Sequence, residues 1–332
     1  MSELLNSRFI TDIKQLLHSA RNRVYQTINS AMTTTYWEIG RRIVEEEQNG
    51  KVRAKYGKAI IKNLSDELTK EFGKGFSVDN LENMRKFYLT YSKSETLSRN
   101  FKLSWSHYIF LTRINNPDER NFYEIESIEN SWSLRELKRQ FNSGLFERLL
   151  LSKDKSKVKE LSTQGQIIQN IDDLIKDPYV LEFTGLPEQV SYSESDLEQK
   201  LIDKLEHFLL ELGKGFTFVA RQKRITIDEK HFKIDLVFYN RLLRCFVVID
   251  LKIGELKHQD IGQMMMYVNY FDRVEKQDDE NSTIGIILCK DKSRTLVEMT
   301  LPEDNNQIYA SKYLTVLPKK EEFQKLLEED YE

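Results

Sequence analysis

Residues 232–239, FKIDLVFY, and 246–253, FVVIDLKI, decide the fold. Each is an apolar, β-branched and aromatic run of strand length interrupted by one carboxylate, Asp235 in the first and Asp250 in the second. Short links at Asp228–Lys230 and Asn240–Arg241 mark hairpins, so Phe216–Ile227, Phe232–Tyr239 and Cys245–Ile253 are predicted as three consecutive strands. An unpaired carboxylate in such surroundings costs several kcal/mol. Two of them near the ends of neighbouring strands would also repel each other. A divalent cation between them relieves both penalties, and oxygen ligands suit Mg²⁺ or Mn²⁺. Lys252 follows Asp250 by two residues, and alternate residues of a strand share a face, so its ammonium projects to the same side.

The flanking helices extend this constellation. Over 195–212, Leu197, Leu201, Ile202, Leu205, Phe208, Leu209 and Leu212 form one apolar stripe at helical spacing. Glu198 falls inside the stripe, whereas Glu206 and Glu211 fall outside it. Glu198 is therefore the candidate third carboxylate; the competing reading is a first-turn acid favourable to the helix dipole. From His258 to Asp272 a second helix places Gln263 and Tyr267 on one face. Met264, Met265, Val268 and Phe271 face elsewhere and read as core. A strand, Thr283–Cys289, follows. The order α-β-β-β-α-β predicts a compact α/β domain with a mixed sheet, and 319–332 reads as a charged amphipathic helix.

The first 150 residues read as helical almost throughout. Phe9, Ile13, Leu16, Leu17, Ala20 and Val24 recur at helical spacing, and Tyr36, Ile39, Gly40 and Ile43 continue the pattern, as do Ile60, Ile61, Leu64 and Leu68. Asn115-Asn116-Pro117 marks a turn, and Ser133 with Glu136 is a capping-box signature. Trp37, Trp105 and Trp132 all lie here. A short helix, a turn and a helix bearing Arg85 and Lys86, or one bearing Arg135, Lys138 and Arg139, has the form of a helix-turn-helix reader; a solvated face on a helical bundle explains the same residues equally well. EFGKGF at 71–76 and ELGKGF at 211–216 echo each other, match no phosphate-binding loop, and read as helix caps.

Composition narrows the class. The 332 residues carry 50 Lys+Arg and 53 Asp+Glu, a net charge of −3, enough chain for about two domains. The halves differ: 1–150 carry 24 basic and 19 acidic residues, 151–332 carry 26 and 34. A basic half joined to an acidic half is compatible with nucleic-acid binding when the acids form metal sites. Cys245 and Cys289 are the only cysteines, which excludes a disulfide framework and a four-cysteine zinc site. No apolar run approaches the ~20 residues that cross a bilayer. The N-terminal segment has no secretory pattern, so a cytoplasmic protein without membrane attachment is expected.

These residues resemble a known family. Asp235 followed by Asp250-x-Lys252 on this element order looks like the PD-(D/E)XK nuclease superfamily, and Gln263-x-x-x-Tyr267 is similar to the helix motif of its RecB-like branch. The longer stretches ELGKGFTFVARQKR (211–224), IDLVFY (234–239) and IDLKIG (249–254) resemble the bacterial YhcG-type nucleases. TYWEIGRRI (35–43) and SWSHYIFL (104–111) resemble that family's helical N-terminal domain, which is thought to bind DNA. Ile234 stands where the superfamily name has proline, at a variable position. The resemblance implies an α+β protein, with an all-helical, helix-turn-helix-like DNA-binding domain over 1–150, a linker or adaptor over 151–192 and a restriction-endonuclease-like nuclease domain with a mixed central sheet over 193–332. It implies Mg²⁺-dependent (or Mn²⁺-dependent) hydrolysis of DNA phosphodiesters, with Asp235 and Asp250 as direct ligands, Glu198 as ligand or water-holder and the Leu251 carbonyl as a further ligand. Lys252 would position or deprotonate the attacking water, Gln263 would orient the phosphate and Tyr267 would support it. Arg221, Lys223 and Arg224 would contact the DNA backbone, with solvated surface the equal alternative. A homodimer that cuts both strands stays open. The competing function is a catalytically silent nuclease-fold module for DNA binding or complex assembly.

Overall fold

The computed structural model describes residues 2–49, 54–92, 101–151, 158–189 and 191–317. The chain divides into two compact units, Met1–Leu137 and Lys138–Glu332. The tail helix expected over 319–332 lies outside the described residues.

The first unit is helical. Its elements are α1 (Ser2–Asn49), α2 (Ala54–Phe72), α3 (Val78–Tyr91), α4 (Trp105–Leu111), α5 (Pro117–Glu129) and the start of α6 (Leu134–Asn142). Local signals set several ends. Pro117 occupies the first turn of α5, and Asn116 Oδ1 accepts from the Asp118 and Glu119 amides at 2.9 and 3.4 Å. Ser77 caps α3, and Ser133 Oγ accepts from the Glu136 amide at 3.2 Å. The core joins Ile43 of α1, Ile61 of α2, and Leu81 and Met84 of α3. Phe87 is the hub of an aromatic cluster with Tyr91, Phe101, Trp105 and Tyr108, at ring separations of 4.8–5.4 Å. The apolar positions of early α1 do not join it: Phe9, Ile13, Leu16, Leu17 and Val24 are exposed, because α3 packs on the later turns of α1, around Gly40.

The second unit carries a six-stranded mixed sheet in the order β1-β6-β5-β4-β3-β2. The strands are β1 (Tyr179–Val180), β2 (Phe216–Ile227), β3 (Lys230–Asn240), β4 (Cys245–Glu255), β5 (Ile284–Asp291) and β6 (Ile308–Leu314). The β2–β3 and β3–β4 pairs are antiparallel, and β4–β5, β5–β6 and β1–β6 are parallel. The β2–β3 turn is a two-residue hairpin, with Asp228 and Glu229 at φ 47° and 64°, both left-handed as a turn matched to strand twist requires. The remaining helices of this unit are α7 (Leu145–Leu151), α8 (Val158–Gln164), α9 (Glu194–Asp203), α10 (Leu205–Leu212), α11 (His258–Tyr270) and α12 (Arg294–Thr300).

The α-β-β-β-α-β order holds, with two strands added at the far edge. Within the span 151–192 expected to link the units, Ile171, Leu174, Tyr179, Leu181 and Tyr192 pack instead into the core on one sheet face, joining Leu197, Leu201, Phe208, Leu236, Ile249 and Leu251. The other face, formed by Ile234, Val237, Val248 and Ile287, packs on Ile261, Met264, Tyr267 and Val268 of α11. The helix predicted over 195–212 is broken at Lys204, whose φ and ψ of −120° and 33° are not helical. Gly73 and Gly213 do follow helix ends, but with φ of 86° and 111° and ψ of −167° and −156° they take an extended positive-φ geometry rather than the left-handed cap.

The break at Lys204 re-aims α10, and Glu211, expected on the outer side, is fully buried. Its Oε1 meets Arg148 Nη1 at 2.5 Å and accepts from the Val180 amide at 3.0 Å; its Oε2 meets Arg139 Nη2 at 3.3 Å; Lys176 Nζ donates to its carbonyl. Burial alone would raise this carboxyl, but Arg148, Lys176 and Arg139 outweigh it and hold the group down to about 2. Arg139 and Arg148 thereby belong with the nuclease-side unit, ahead of the expected boundary at 150.

Two outcomes follow. At Gly40 an added Cβ would lie 2.1 Å from the Met84 carbonyl oxygen, where α1 and α3 touch. Gly40→Ala is expected to destabilise the helical unit by about 1–3 kcal/mol in urea titrations despite alanine's better helix propensity. Glu211→Gln strands Arg148 without its counter-charge, at a cost of about 3–5 kcal/mol at neutral pH. Because the folded-state value is depressed, the wild-type contribution is complete above the unfolded carboxylate value and fades as pH falls from about 4.5 towards 2. The gap between the two proteins should narrow over that window; a constant gap would contradict the ion-pair account.

Candidate active site

Sheet register brings the two strand carboxylates together. The β3–β4 ladder is paired from Asn240↔Cys245 to Leu236↔Ile249, and Asp235 and Asp250 are the next residue on each strand. Beyond that point the Leu251 amide donates to Asp235 Oδ2 at 2.8 Å, so a side chain replaces the ladder bond. Asp250 is almost wholly buried, and Lys252 Nζ lies 2.8 Å from its Oδ2, as the shared strand face predicts. That ammonium is the counter-charge of Asp250 and stands within hydrogen-bonding distance of it. Glu194 Oε2 is 4.0 Å from the same ammonium.

Electrostatics separate these acids from Glu211. Burial pushes the Asp235 carboxyl up to about 7, aided by Asp250 and opposed by the Leu251 amide and Lys252. Burial raises Asp250 as well, against the pull of Lys252. Lys252 is itself raised: burial opposes its charge, but Asp250, Glu194 and Asp235 more than compensate. One cation faces a buried and a half-buried carboxylate here, which is an unfinished charge balance.

Glu198 points inward and is buried, as its place in the apolar stripe predicts. Its oxygens face other partners: Arg221 Nε on one, Gln222 Nε2 on the other. Gln222 Nε2 also donates to Asp235 Oδ1 at 3.1 Å and so bridges the two acids. Among the described residues, no group of three or more His, Cys, Asp or Glu side chains is gathered closely enough to hold a metal ion. The sequence reading missed Gln222; its signal is conformational, a φ of 48° in the middle of β2, which no residue pattern announces.

Helix α11 braces the site from the opposite face. Tyr267 is fully buried; its hydroxyl donates to the Lys233 carbonyl at 2.9 Å and receives the Gln263 amide. This fixes α11 to β3 two residues before Asp235. Leu251 is buried and contributes its amide to Asp235.

The proposed DNA-facing cations fall into two groups. Arg221 is tied to Glu198 and, at 2.8 Å, to Gln199 Oε1; Lys223 pairs with Glu275 at 2.9 Å; Arg224 Nη2 lies 2.6 Å from His231 Nε2. Arg85 pairs with Glu47 of α1 at 2.6 Å, and Arg139, expected on a basic face, is held against Glu182 at 2.7 Å and Glu211. Lys86, Arg135 and Lys138 are exposed.

The donor set fits a hard divalent cation: two carboxylates on adjacent strands, both raised by burial, Asp235 further raised by Asp250. Sequence comparison agrees with this class of site. Residues 172–328 match the family model described as the YhcG PDDEXK nuclease domain, and 12–148 match the DUF1016 N-terminal domain. The chain thus carries a PDDEXK nuclease domain behind a helical region. The Escherichia coli (strain K12) protein named "Putative nuclease YhcG" is 40% identical over 336 residues, spanning 92% of this chain and 89% of that one. The chain belongs to the YhcG family. Among solved structures, a repair endonuclease from Pyrococcus abyssi overlaps 39% of this chain and 50% of its own, at 17% identity and a TM-score of 0.27; EndoMS in its apo form overlaps 40% and 49%, at 15% and 0.25. The chain spans about half the length of each. No helix among the described residues is long and apolar enough to cross a membrane.

A raised Asp235 makes a testable statement about the metal-free protein. The folded state binds this proton more tightly than the unfolded state, so stability should fall as pH rises from about 4 through 7. Asp235→Asn removes the repulsion and should melt above wild type at pH 8, by about 2–4 °C per kcal/mol released, with the advantage vanishing near pH 4. Thermal scans without metal across that range check it; a difference independent of pH would contradict it.

Proposed function

We propose that this protein is a divalent-metal-dependent endonuclease that hydrolyses DNA phosphodiester bonds, with the helical region positioning the DNA. The observation that carries the reading is the pair Asp235–Asp250: two acids side by side in the sheet, both raised by burial, with a single lysine beside them. Family membership supplies the nuclease class, and the charge imbalance supplies the case for a cation.

Asp235 and Asp250 would hold Mg²⁺ or Mn²⁺. Bound there, the cation would supply Lewis acidity towards the phosphate and lower the pKa of a ligated water. Lys252, beside Asp250, offsets negative charge developing on the phosphorus oxygens and orients the attacking water by hydrogen bonding. The Leu251 amide fixes the Asp235 carboxylate. Tyr267 anchors α11 to β3 so that Gln263 stands at the site and orients the phosphate. Glu198, held by Arg221 and Gln222, acts on Asp235 through Gln222 rather than as a direct ligand. Lys86, Arg135 and Lys138, exposed on the helices, serve phosphate contact in this reading. The two buried free thiols, Cys245 and Cys289, suit a reducing, cytoplasmic setting.

Supercoiled plasmid, linear duplex, single strands and branched junctions, each incubated with Mg²⁺, Mn²⁺ or chelator, test the proposal. Cleavage with metal alone is expected. Asp250→Ala and Lys252→Ala should each lose at least about 10²-fold in rate while keeping wild-type circular dichroism and DNA retention in gel shifts. Undiminished cutting by both variants would remove the assignment, and metal binding without cutting of any DNA form would favour the silent module.

A further inference from the structure

Gln222 occupies a backbone conformation that β-strands avoid. Its φ of 48° lies in the left-handed region, which a non-glycine residue adopts only at a cost in strain. The flanking residues pair normally with β3, Arg221 with Leu236 and Lys223 with Ile234, so Gln222 stands opposite Asp235. The partner strand is irregular at the same level. Ile234 packs on the α11 side of the sheet, whereas Leu236, two residues on, packs on the α9 and α10 side. Alternate residues of a regular strand share a face, so β3 turns over at Asp235.

A kink alone does not call for glutamine. Glycine or asparagine takes φ near 50° at lower cost. What glutamine adds is a long neutral arm whose amide nitrogen reaches both Glu198 Oε2 and Asp235 Oδ1. Both partners are acceptors when ionised, so the nitrogen, not the oxygen, must face them. The amide thus hydrogen-bonds the α9 acid and the β3 acid at once.

We propose that Gln222 is a positioning residue: it sets the spacing and orientation of the Glu198 and Asp235 carboxylates, and through them the affinity of the Asp235–Asp250 pair for a divalent cation. The cation is taken from the function proposed above; the hydrogen-bonded coupling exists without it.

Two substitutions separate arm from backbone. Gln222→Gly relieves the strained φ and removes the amide; Gln222→Asn tolerates the φ and keeps an amide one methylene too short to span both acids. Both variants should melt at or above wild type without metal, so lost function cannot be ascribed to unfolding. Calorimetric titration with Mn²⁺ should nonetheless show affinity weakened about tenfold or more in each. In metal-free thermal scans, Gln222→Gly combined with Glu198→Gln should depart from additivity by about 2 °C. Wild-type Mn²⁺ affinity in both variants, or additive melting shifts, overturns the role of Gln222 while leaving wild-type cleavage, and the nuclease reading, intact. Mn²⁺ binding that weakens in the variants of a protein that cuts no DNA ends the nuclease reading and upholds this one. A wild type that binds no Mn²⁺ overturns both.

Discussion

Two carboxylates placed side by side inside a sheet are the constraint on which the second unit is built. Asp235 and Asp250 stand one residue past the last paired rung of the β3–β4 ladder, the first half-buried and the second almost wholly shielded from water. Desolvation and mutual repulsion act on them together, and a single lysine answers both. Glu211 makes the contrast within the same fold. It is buried at least as deeply, yet Arg148, Arg139 and Lys176 surround it and the Val180 amide completes its shell, so its carboxyl is depressed to about 2 while that of Asp235 is raised to about 7. A buried acid that is fully balanced is a structural joint. One left under-balanced marks a candidate functional site.

The surroundings of Asp235 are arranged to hold this imbalance in place. The Leu251 amide fixes one oxygen, Gln222 reaches the other, and Tyr267 locks the α11 helix onto the preceding carbonyl of β3. The strand turns over at Asp235, and β2 answers with a left-handed residue at the same level. Irregular backbone is concentrated where the acids meet, as expected when surrounding packing pins a conformation that the local chain would not choose. The helical unit follows a simpler rule: α1 and α3 approach closely only because Gly40 has no side chain, and an aromatic cluster centred on Phe87 closes the space beside them.

The chain alone determined the strands that matter, the placing of Asp250 and Lys252 on one face, the inward turn of Glu198 and the Gln263–Tyr267 helix, since all of these follow from periods of two and 3.6 residues over short spans. It also carried the family resemblance. Periodicity failed where a span crossed a break: the stripe over 195–212 assumed one helix, and the kink at Lys204 turned Glu211 from an outer residue into a buried one. It failed again on early α1, where a good apolar stripe stays exposed because its neighbours pack elsewhere on the helix. Only the tertiary structure decided which charges are committed to partners, as with Arg139, Arg221 and Lys223. Only it showed that Gln222 joins two acids and that Ile171, Tyr179 and Tyr192 belong to the core. The physical reason is common to these cases. Ion pairs and bridging hydrogen bonds join residues far apart in sequence, and their geometry is set by sheet register and helix breaks that no local pattern encodes.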